Sequence, residues 1–332
     1  MRIAVIGAGA FGTALANLLS LKGHDVQLWA RESELVPLIN AAHENAMYLP
    51  GIALAPTLTA FDSLGEASEG AELVLLAVPS HGLRAIAAQL EPSLPPRIPI
   101  VTVAKGIENE TLFTMSEVLE DVLPVDRHPY IAIVSGPSFA REVAEGQPTS
   151  VTVAARWDRI ARLVQTAFSN EVLRVYTSID LIGVQYGGAL KNVMAIAVGA
   201  AQGLGFGFNG QAALITRGLA EITRAAVQHG ANPMTLSGLS GMGDLVLTCT
   251  GTLSRNRELG MALGQGRTLE ELQKNRLTVA EGVCTAKSAR QIAERDGIDM
   301  PISCAVHRVL FEGQSPRAAL GDLLSRPLKA EF

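Results

Sequence analysis

Residues 2–32 read RIAVIGAGAFGTALANLLSLKGHDVQLWARE, and the side-chain period changes twice along them. Arg2–Ile6 is a short β-branched run. Ala10–Lys22 carries Leu15, Leu18 and Leu19 at helical spacing, Gly23 stops it, and Asp25–Trp29 returns to strand character. Between the first strand and the helix lies Gly7-Ala8-Gly9-Ala10-Phe11-Gly12, a GxGxxG in strand–turn–helix context. The first Gly makes the turn, the second lets backbone N–H groups approach a pyrophosphate, and the third lets helix pack on strand. The helix N-terminus adds partial positive charge for phosphates. A glycine-rich structural turn is the bland alternative. In NAD-specific folds an acidic residue sits about 20 residues on. Ala30-Arg31-Glu32 stand there, with Arg31 nineteen residues past Gly12. An Arg there stacks on adenine and pairs with a 2′-phosphate, which favours NADP(H). Glu32 beside it is within reach of a ribose hydroxyl, and a solvated surface Arg31 is the competing reading.

The alternation continues outward. Leu73–Val78, Ile98–Val103 and Ile131–Val134 read as strands buried on both faces, with helical segments Ser33–His43, His81–Leu90 and Thr111–Val122 between them. Val151–Ala154 and Val172–Tyr176 extend the sheet. This pattern predicts an α/β domain, a Rossmann-type doubly wound parallel sheet, over residues 1–178. Strand signals then nearly vanish. Asp180–Ala201, Gln211–His229, Ser254–Leu263, Val279–Arg295 and Pro301–Phe311 look helical, so residues 179–332 are expected to form an all-α substrate domain.

Composition excludes several classes. The 332 residues are 48% hydrophobic and 18% charged, unlike a disordered chain. A net charge of −5 predicts no draw toward nucleic acid. Cys249, Cys284 and Cys304 form no CxxC pair and the six His no HExxH, so neither a disulfide framework nor a metal site is expected. Mean hydropathy is +0.26, and the uncharged Ile3–Leu21 approaches a membrane-spanning length. Its three glycines and its change of period argue against insertion or a signal peptide, and favour a cytoplasmic chain.

Charged residues isolated in apolar surroundings single out the chemistry. Lys191 is the one charged residue between Asp180 and Arg217, in GGALKNVMAIAVGAAQG. A lone ammonium among Ala, Val, Met and Ile is costly unless it is paired or faces a wet cleft. A general acid/base is the functional reading, with Asn192 orienting a substrate hydroxyl, and a snorkelling Lys is the structural one. Asp244 is likewise isolated between Arg224 and Arg255, behind a Gly-Met-Gly that suggests a tight loop. It is a natural partner for Lys191, or else a helix N-cap. Ser254 fits an N-cap, and Arg255 and Asn256 in the first turn would complete a phosphate clamp, against a capped surface helix. Lys105 and Gly136-Pro137-Ser138-Phe139 follow strands, where open α/β sheets bind ligands. Thr278-Val279-Ala280-Glu281 reads as a capping box, with Glu281 at least as structural as ligand-binding.

Seven motifs in order then point to one family: GAGAFGTALA (Gly7–Ala16), VAKGIE (Val103–Glu108), SGPSFAREV (Ser135–Val143), GALKNVMAIAVG (Gly188–Gly199), GMGDLVLTCT (Gly241–Thr250), LSRNRELG (Leu253–Gly260) and VAEGVCTA (Val279–Ala286). The chain resembles bacterial NAD(P)-dependent glycerol-3-phosphate dehydrogenases. The resemblance implies reversible hydride transfer between NAD(P)H and dihydroxyacetone phosphate, giving sn-glycerol 3-phosphate for phospholipid synthesis, in a cytoplasmic homodimer. It implies Lys191 as the acid/base. It puts Lys105, Gly136, Ser138, Lys191, Asp244, Ser254, Arg255 and Asn256 at the substrate, where Asn192 and Thr248 are expected as well. It puts Ala10, Phe11, Arg31, Lys105, Ala140, Arg255, Val279 and Glu281 at the cofactor, beside Gly7, Gly9 and Gly12 of the fingerprint. Many members carry Trp where Phe11 stands, and Glu32 replaces a basic or neutral residue. The rival readings are a related β-hydroxyacid dehydrogenase or a ketopantoate-type reductase, both expected to lack the Ser254-Arg255-Asn256 helix start. A non-catalytic dinucleotide-sensing module is the third, and it has no need of an isolated Lys191 and Asp244.

Overall fold

The β-branched and continuous apolar runs assemble into one eight-stranded sheet in a computed structural model that describes residues 1–274, 280–328, 330 and 331. Its strands are β1 (Arg2–Ile6), β2 (Asp25–Trp29), β3 (Thr59–Phe61), β4 (Leu73–Leu76), β5 (Ile100–Thr102), β6 (Ile131–Ser135), β7 (Thr149–Ala155) and β8 (Leu173–Ser178). The order is β3-β2-β1-β4-β5-β6-β7-β8. Helices α1 (Ala10–Leu21), α2 (Leu35–Ala42), α3 (Leu64–Ser68), α4 (Leu83–Leu90), α5 (Met115–Val122), α6 (Ala140–Ala144) and α7 (Asp158–Phe168) lie between the strands in sequence. Alternation along β1 shows both sheet faces covered. Ile3 and Val5 join one apolar cluster, while Ala4 and Ile6 join another.

Three details differ from the expectation. Pairing is parallel except β6 with β7, which run antiparallel. Strand direction leaves no mark on an apolar run, so the sequence pattern does not carry it. The strand β3 has only three residues and no period to read. Helix α5 begins at Met115 rather than Thr111, because Leu112 adopts φ +62° and a Thr114/Glu117 capping box starts the helix beyond it.

The chain divides into two compact units, Met1–Lys105 with Phe113–Gln185, and Gly106–Leu112 with Tyr186–Phe332. Residue 178, the boundary expected from sequence, is the last residue of β8, and the first unit runs seven residues further. Among the described residues the regular elements after β8 are helices: α8 (Leu181–Gly203), α9 (Phe208–Gln228), α10 (Pro233–Leu236), α11 (Asp244–Thr250), α12 (Arg255–Gly264), α13 (Leu269–Gln273), α14 (Glu281–Asp296), α15 (Pro301–Phe311) and α16 (Pro316–Leu324). The uncharged stretch Ile3–Leu21 is β1 and most of α1, not a single span. Helix α8 is long and apolar enough to cross a membrane, but 83% of its apolar window is buried inside the fold.

Helices α8 and α12 cross backbone to backbone. A Cβ on Gly199 would lie 2.1 Å from the Arg257 carbonyl oxygen, and one on Gly260 would lie 2.1 Å from that of Ile196. Gly203 and Gly264 repeat the contact one turn on, at 2.2 Å from the Met261 oxygen and 2.3 Å from the Ala200 oxygen. We expect Gly260→Ala to destabilise the protein by about 1–3 kcal/mol, because a main-chain carbonyl cannot change rotamer to escape a methyl group. Gly321→Ala in α16, where a Cβ meets nothing within 4 Å, should instead stabilise by about 0.5–1 kcal/mol. Chemical denaturation of the two variants checks both signs.

Candidate functional site

The glycine turn is built as its sequence demands. Gly7 has φ +121°, and a Cβ there would lie 2.6 Å from the Ala77 carbonyl oxygen. A Cβ on Gly12 would meet the Gly7 carbonyl oxygen at 1.9 Å, the close strand–helix approach expected of the third glycine. Around Gly9 nothing lies within 4 Å of a built Cβ. It caps α1 with no side-chain hydrogen bond, and the first turn, where Ala10 and half-buried Phe11 stand, carries no acid. Open space in front of N–H groups that no side chain caps is what a pyrophosphate requires, so this turn fits a dinucleotide. Two residues that the sequence reading passed over brace it. Buried Asn45 donates to the Ala8 carbonyl at 2.8 Å and to the Thr13 hydroxyl at 2.9 Å, and Thr13 donates to Ala8 at 3.2 Å. Thr13, one residue past the fingerprint, was the available signal; Asn45 had none.

Beyond β2, Arg31 donates through Nε and Nη2 to Glu32 Oε1 at 3.1 and 2.7 Å, and the Tyr48 hydroxyl donates to the same oxygen at 3.3 Å. Tyr48 too went unnoticed in the sequence. At the carboxyl ends of β5 and β6 a second group assembles. Lys105 Nζ donates to the Gly136 carbonyl at 3.0 Å, and the Ser138 hydroxyl donates to the same oxygen at 2.9 Å. Gly136 holds φ +147°, with a built Cβ 2.9 Å from Val151 Cα. Ala140 is the first residue of α6, directly after this loop.

The helical unit brings its two isolated charges together. Lys191 on α8 donates to Asp244 Oδ1 and, at 2.9 Å, to the Thr248 hydroxyl. Thr248 in turn donates to the Asp244 main-chain carbonyl at 2.6 Å. Lys191, Asp244 and Thr248 are all buried, so neither a snorkelling Lys191 nor an N-capping Asp244 describes the structure. The Gly-Met-Gly before Asp244 is not a loop. Leu239–Gly243 forms a π-helical turn, and Asp244 opens α11 one turn before Thr248, so both face Lys191. Burial pushes the neighbouring Cys249 thiol up to about 12, against the opposing pull of Lys191. It should therefore resist alkylation in the native protein at neutral pH, as peptide mass spectrometry after iodoacetamide would show.

Asn192, next to Lys191, accepts from Asn256 Nδ2 at 3.0 Å, while Asn256 Oδ1 accepts from the Gly282 N–H at 3.1 Å. Asn256 thus ties the first turn of α12 to α8 and α14. Ser254 caps α12, accepting from the Arg257 N–H at 3.3 Å, and Arg255 stands exposed at the first helical position. Glu281 opens α14, and Thr285 donates to its main-chain carbonyl at 3.0 Å. Thr278 and Val279, and with them the expected capping box, lie outside the described residues.

The family described as NAD-dependent glycerol-3-phosphate dehydrogenase N-terminus matches residues 2–161, and the corresponding C-terminus family matches residues 180–321. The chain is 56% identical over 332 residues to a Myxococcus xanthus (strain DK1622) protein named glycerol-3-phosphate dehydrogenase (NAD(P)+), covering 100% of this chain and 99% of that one. An Anaeromyxobacter sp. (strain K) protein of the same name is also 56% identical, with full coverage of both. The crystal structure of glycerol-3-phosphate dehydrogenase from Coxiella burnetii superposes with a TM-score of 0.92 at 38% identity, covering 98% of this chain and 99% of that one.

Proposed function

Since the chain belongs to the NAD-dependent glycerol-3-phosphate dehydrogenase family, we propose that it interconverts dihydroxyacetone phosphate and sn-glycerol 3-phosphate with NAD(P)H. The observation that carries this reading is the buried Lys191–Asp244–Thr248 group, in a chain that also bears a dinucleotide turn. A bound nicotinamide supplies or accepts the hydride at the substrate carbon. Lys191 gives the proton to the carbonyl oxygen in reduction and takes it back in oxidation. Asp244 and Thr248 aim the Lys191 ammonium, so that its proton stands where the alkoxide charge develops. Asn192, held by Asn256, presents its amide to a substrate oxygen. Arg255 and the first-turn N–H groups of α12 hold the phosphate, supported by the position of Arg255 at that helix start. Lys105, with Gly136 and Ser138, binds the reacting end of the substrate. The glycine turn, with Ala10, Phe11, Arg31, Ala140 and Glu281, binds the cofactor.

The rival dehydrogenase, ketopantoate-type and sensing readings lose their support to the family match over both halves of the chain. The same reading makes the chain a supplier of glycerol phosphate for phospholipids and a cytoplasmic homodimer; light scattering checks the dimer. The decisive assay follows NADPH absorbance on addition of dihydroxyacetone phosphate. Turnover with this substrate and none with ketopantoate or β-hydroxyacids is the expected result, and no turnover with dihydroxyacetone phosphate overturns the proposal.

A further inference from the structure

Beside the Lys191–Asp244 pair lies a second contact, made of main chain. Gly187 stands four residues before Lys191 on α8, so the two share a face of that helix. A Cβ on Gly187 would lie 2.4 Å from the Ser240 carbonyl oxygen and 3.1 Å from Gly241 Cα. Ser240 in turn stands four residues before Asp244. Backbone therefore meets backbone one turn ahead of the point where Lys191 reaches Asp244 and Thr248. The same turn is pinned on another side. A Cβ on Gly241 would lie 2.1 Å from the Leu236 carbonyl oxygen, so α10 and α8 hold the Ser240–Gly241 peptide between them. Leu236, Ser240 and Gly241 are all buried. This is also where the helix is wound wide. The Gly243 N–H donates to the Gly238 carbonyl at 3.1 Å, and the Asp244 N–H donates to that of Leu239, each five residues back rather than four. One residue turns an α-helix by about 100°. The extra residue in this turn thus sets which way Asp244 faces, in a stretch whose place two glycines fix.

We propose that Gly187 is a positioning residue for the reaction: by letting α8 touch the π-helical turn, it sets the depth and direction at which Asp244 meets Lys191, and so the aim of the proton donor. The inference rests on the acid/base reading of Lys191 above. Gly187 has no side chain to offer a substrate or a cofactor, and it acts through Asp244. A side chain there would push the turn outward and carry Asp244 with it, while Lys191, on the same helix as Gly187, would stay behind.

The test is a double-mutant cycle on the full chain: wild type, Gly187→Ala, Asp244→Asn and the two together. Turnover of dihydroxyacetone phosphate with NADPH is followed by absorbance, in single-turnover mode where it is slow, and NADPH affinity is titrated separately. The Gly187→Ala methyl group reaches ordinary contact only if the Ser240 carbonyl retreats by about 1 Å, so kcat should fall by roughly 10- to 100-fold. NADPH affinity should stay within about twofold of wild type. Because the effect runs through Asp244, the same substitution should change kcat by less than about twofold in the Asp244→Asn background. A residue that only supported the fold would carry its full loss into that background. Met242→Gly serves if Gly187→Ala does not fold. Met242 is exposed in the same turn, the change adds no atoms, and three glycines in a row loosen the turn. It should lower kcat by roughly twofold to fivefold, again only where Asp244 is present. A folded Gly187→Ala chain with kcat within about twofold of wild type, or a loss of equal factor in both backgrounds, overturns the role of Gly187; without a folded Gly187→Ala, an unchanged kcat in Met242→Gly does so. Wild-type kcat in Asp244→Asn overturns the acid/base reading itself, and this inference with it.

Discussion

Lys191→Met should lower kcat by at least about 10²–10⁴-fold while NADPH affinity stays within a few-fold of wild type. The range is what removal of a positioned proton donor costs, and lost substrate positioning adds to it. Cofactor binding should survive because the glycine turn and the β2 end belong to the sheet unit, whereas Lys191 belongs to the helical one. The substitution also strips Asp244 of its cation. A buried carboxylate without its partner is destabilising by about 3–5 kcal/mol, so part of any loss could come from unfolding. Thermal melts separate the two effects, and the double variant Lys191→Met/Asp244→Asn removes the stranded charge without restoring a proton donor. Retention of more than about a tenth of wild-type kcat in a folded variant would remove Lys191 from the chemistry.

Arg255→Ala should reduce kcat/KM for dihydroxyacetone phosphate by roughly 30- to 1000-fold, equivalent to about 2–4 kcal/mol for loss of a charged hydrogen-bonding partner of the phosphate. The guanidinium is a permanent, forked cation matched to phosphate oxygens, and it opens α12, where main-chain N–H groups converge. The loss should depend on the phosphate. Unphosphorylated dihydroxyacetone, a poor substrate from the start, should lose much less. NADPH affinity measured in parallel corrects for any part Arg255 plays at the cofactor. An equal loss on both substrates after that correction would assign Arg255 to the cofactor or the fold and leave the phosphate holder unidentified.

The parts of this molecule legible in sequence are those written in local periodicity or in the rarity of a charge. The β1–turn–α1 unit shows because side-chain period switches within a few residues of three glycines. The Lys191–Asp244 pair shows because a charge in a long apolar segment has to be compensated, and each segment held only one. What stayed hidden is written in tertiary contact. Glu221 looks like an ordinary polar residue of α9, yet it is buried and accepts from the N–H groups of Ile302 and Ser303 at 2.8 Å, capping α15 from another helix. Helix α11 was obscured by the glycines before it and by a valine and two threonines within it, which weigh against helix in any local reading. Asn45 and Tyr48 sit in an irregular stretch without periodicity, and only the folded chain brings them to the Ala8 carbonyl and to Glu32.

The glycine-lined crossing of α8 and α12 acts as a ruler. It joins the helix that carries Lys191 to the helix whose start carries Ser254, Arg255 and Asn256, and main-chain atoms, not rotamers, set the separation. On the proposed reading, one end of that ruler meets the carbonyl oxygen and the other the phosphate. The side chains of Lys191 and Arg255 reach from the two helices, but the distance between the helices themselves leaves no slack for a side chain to take up. Any change in the separation of α8 and α12 therefore requires re-seating a helix, a far rarer event than a point substitution.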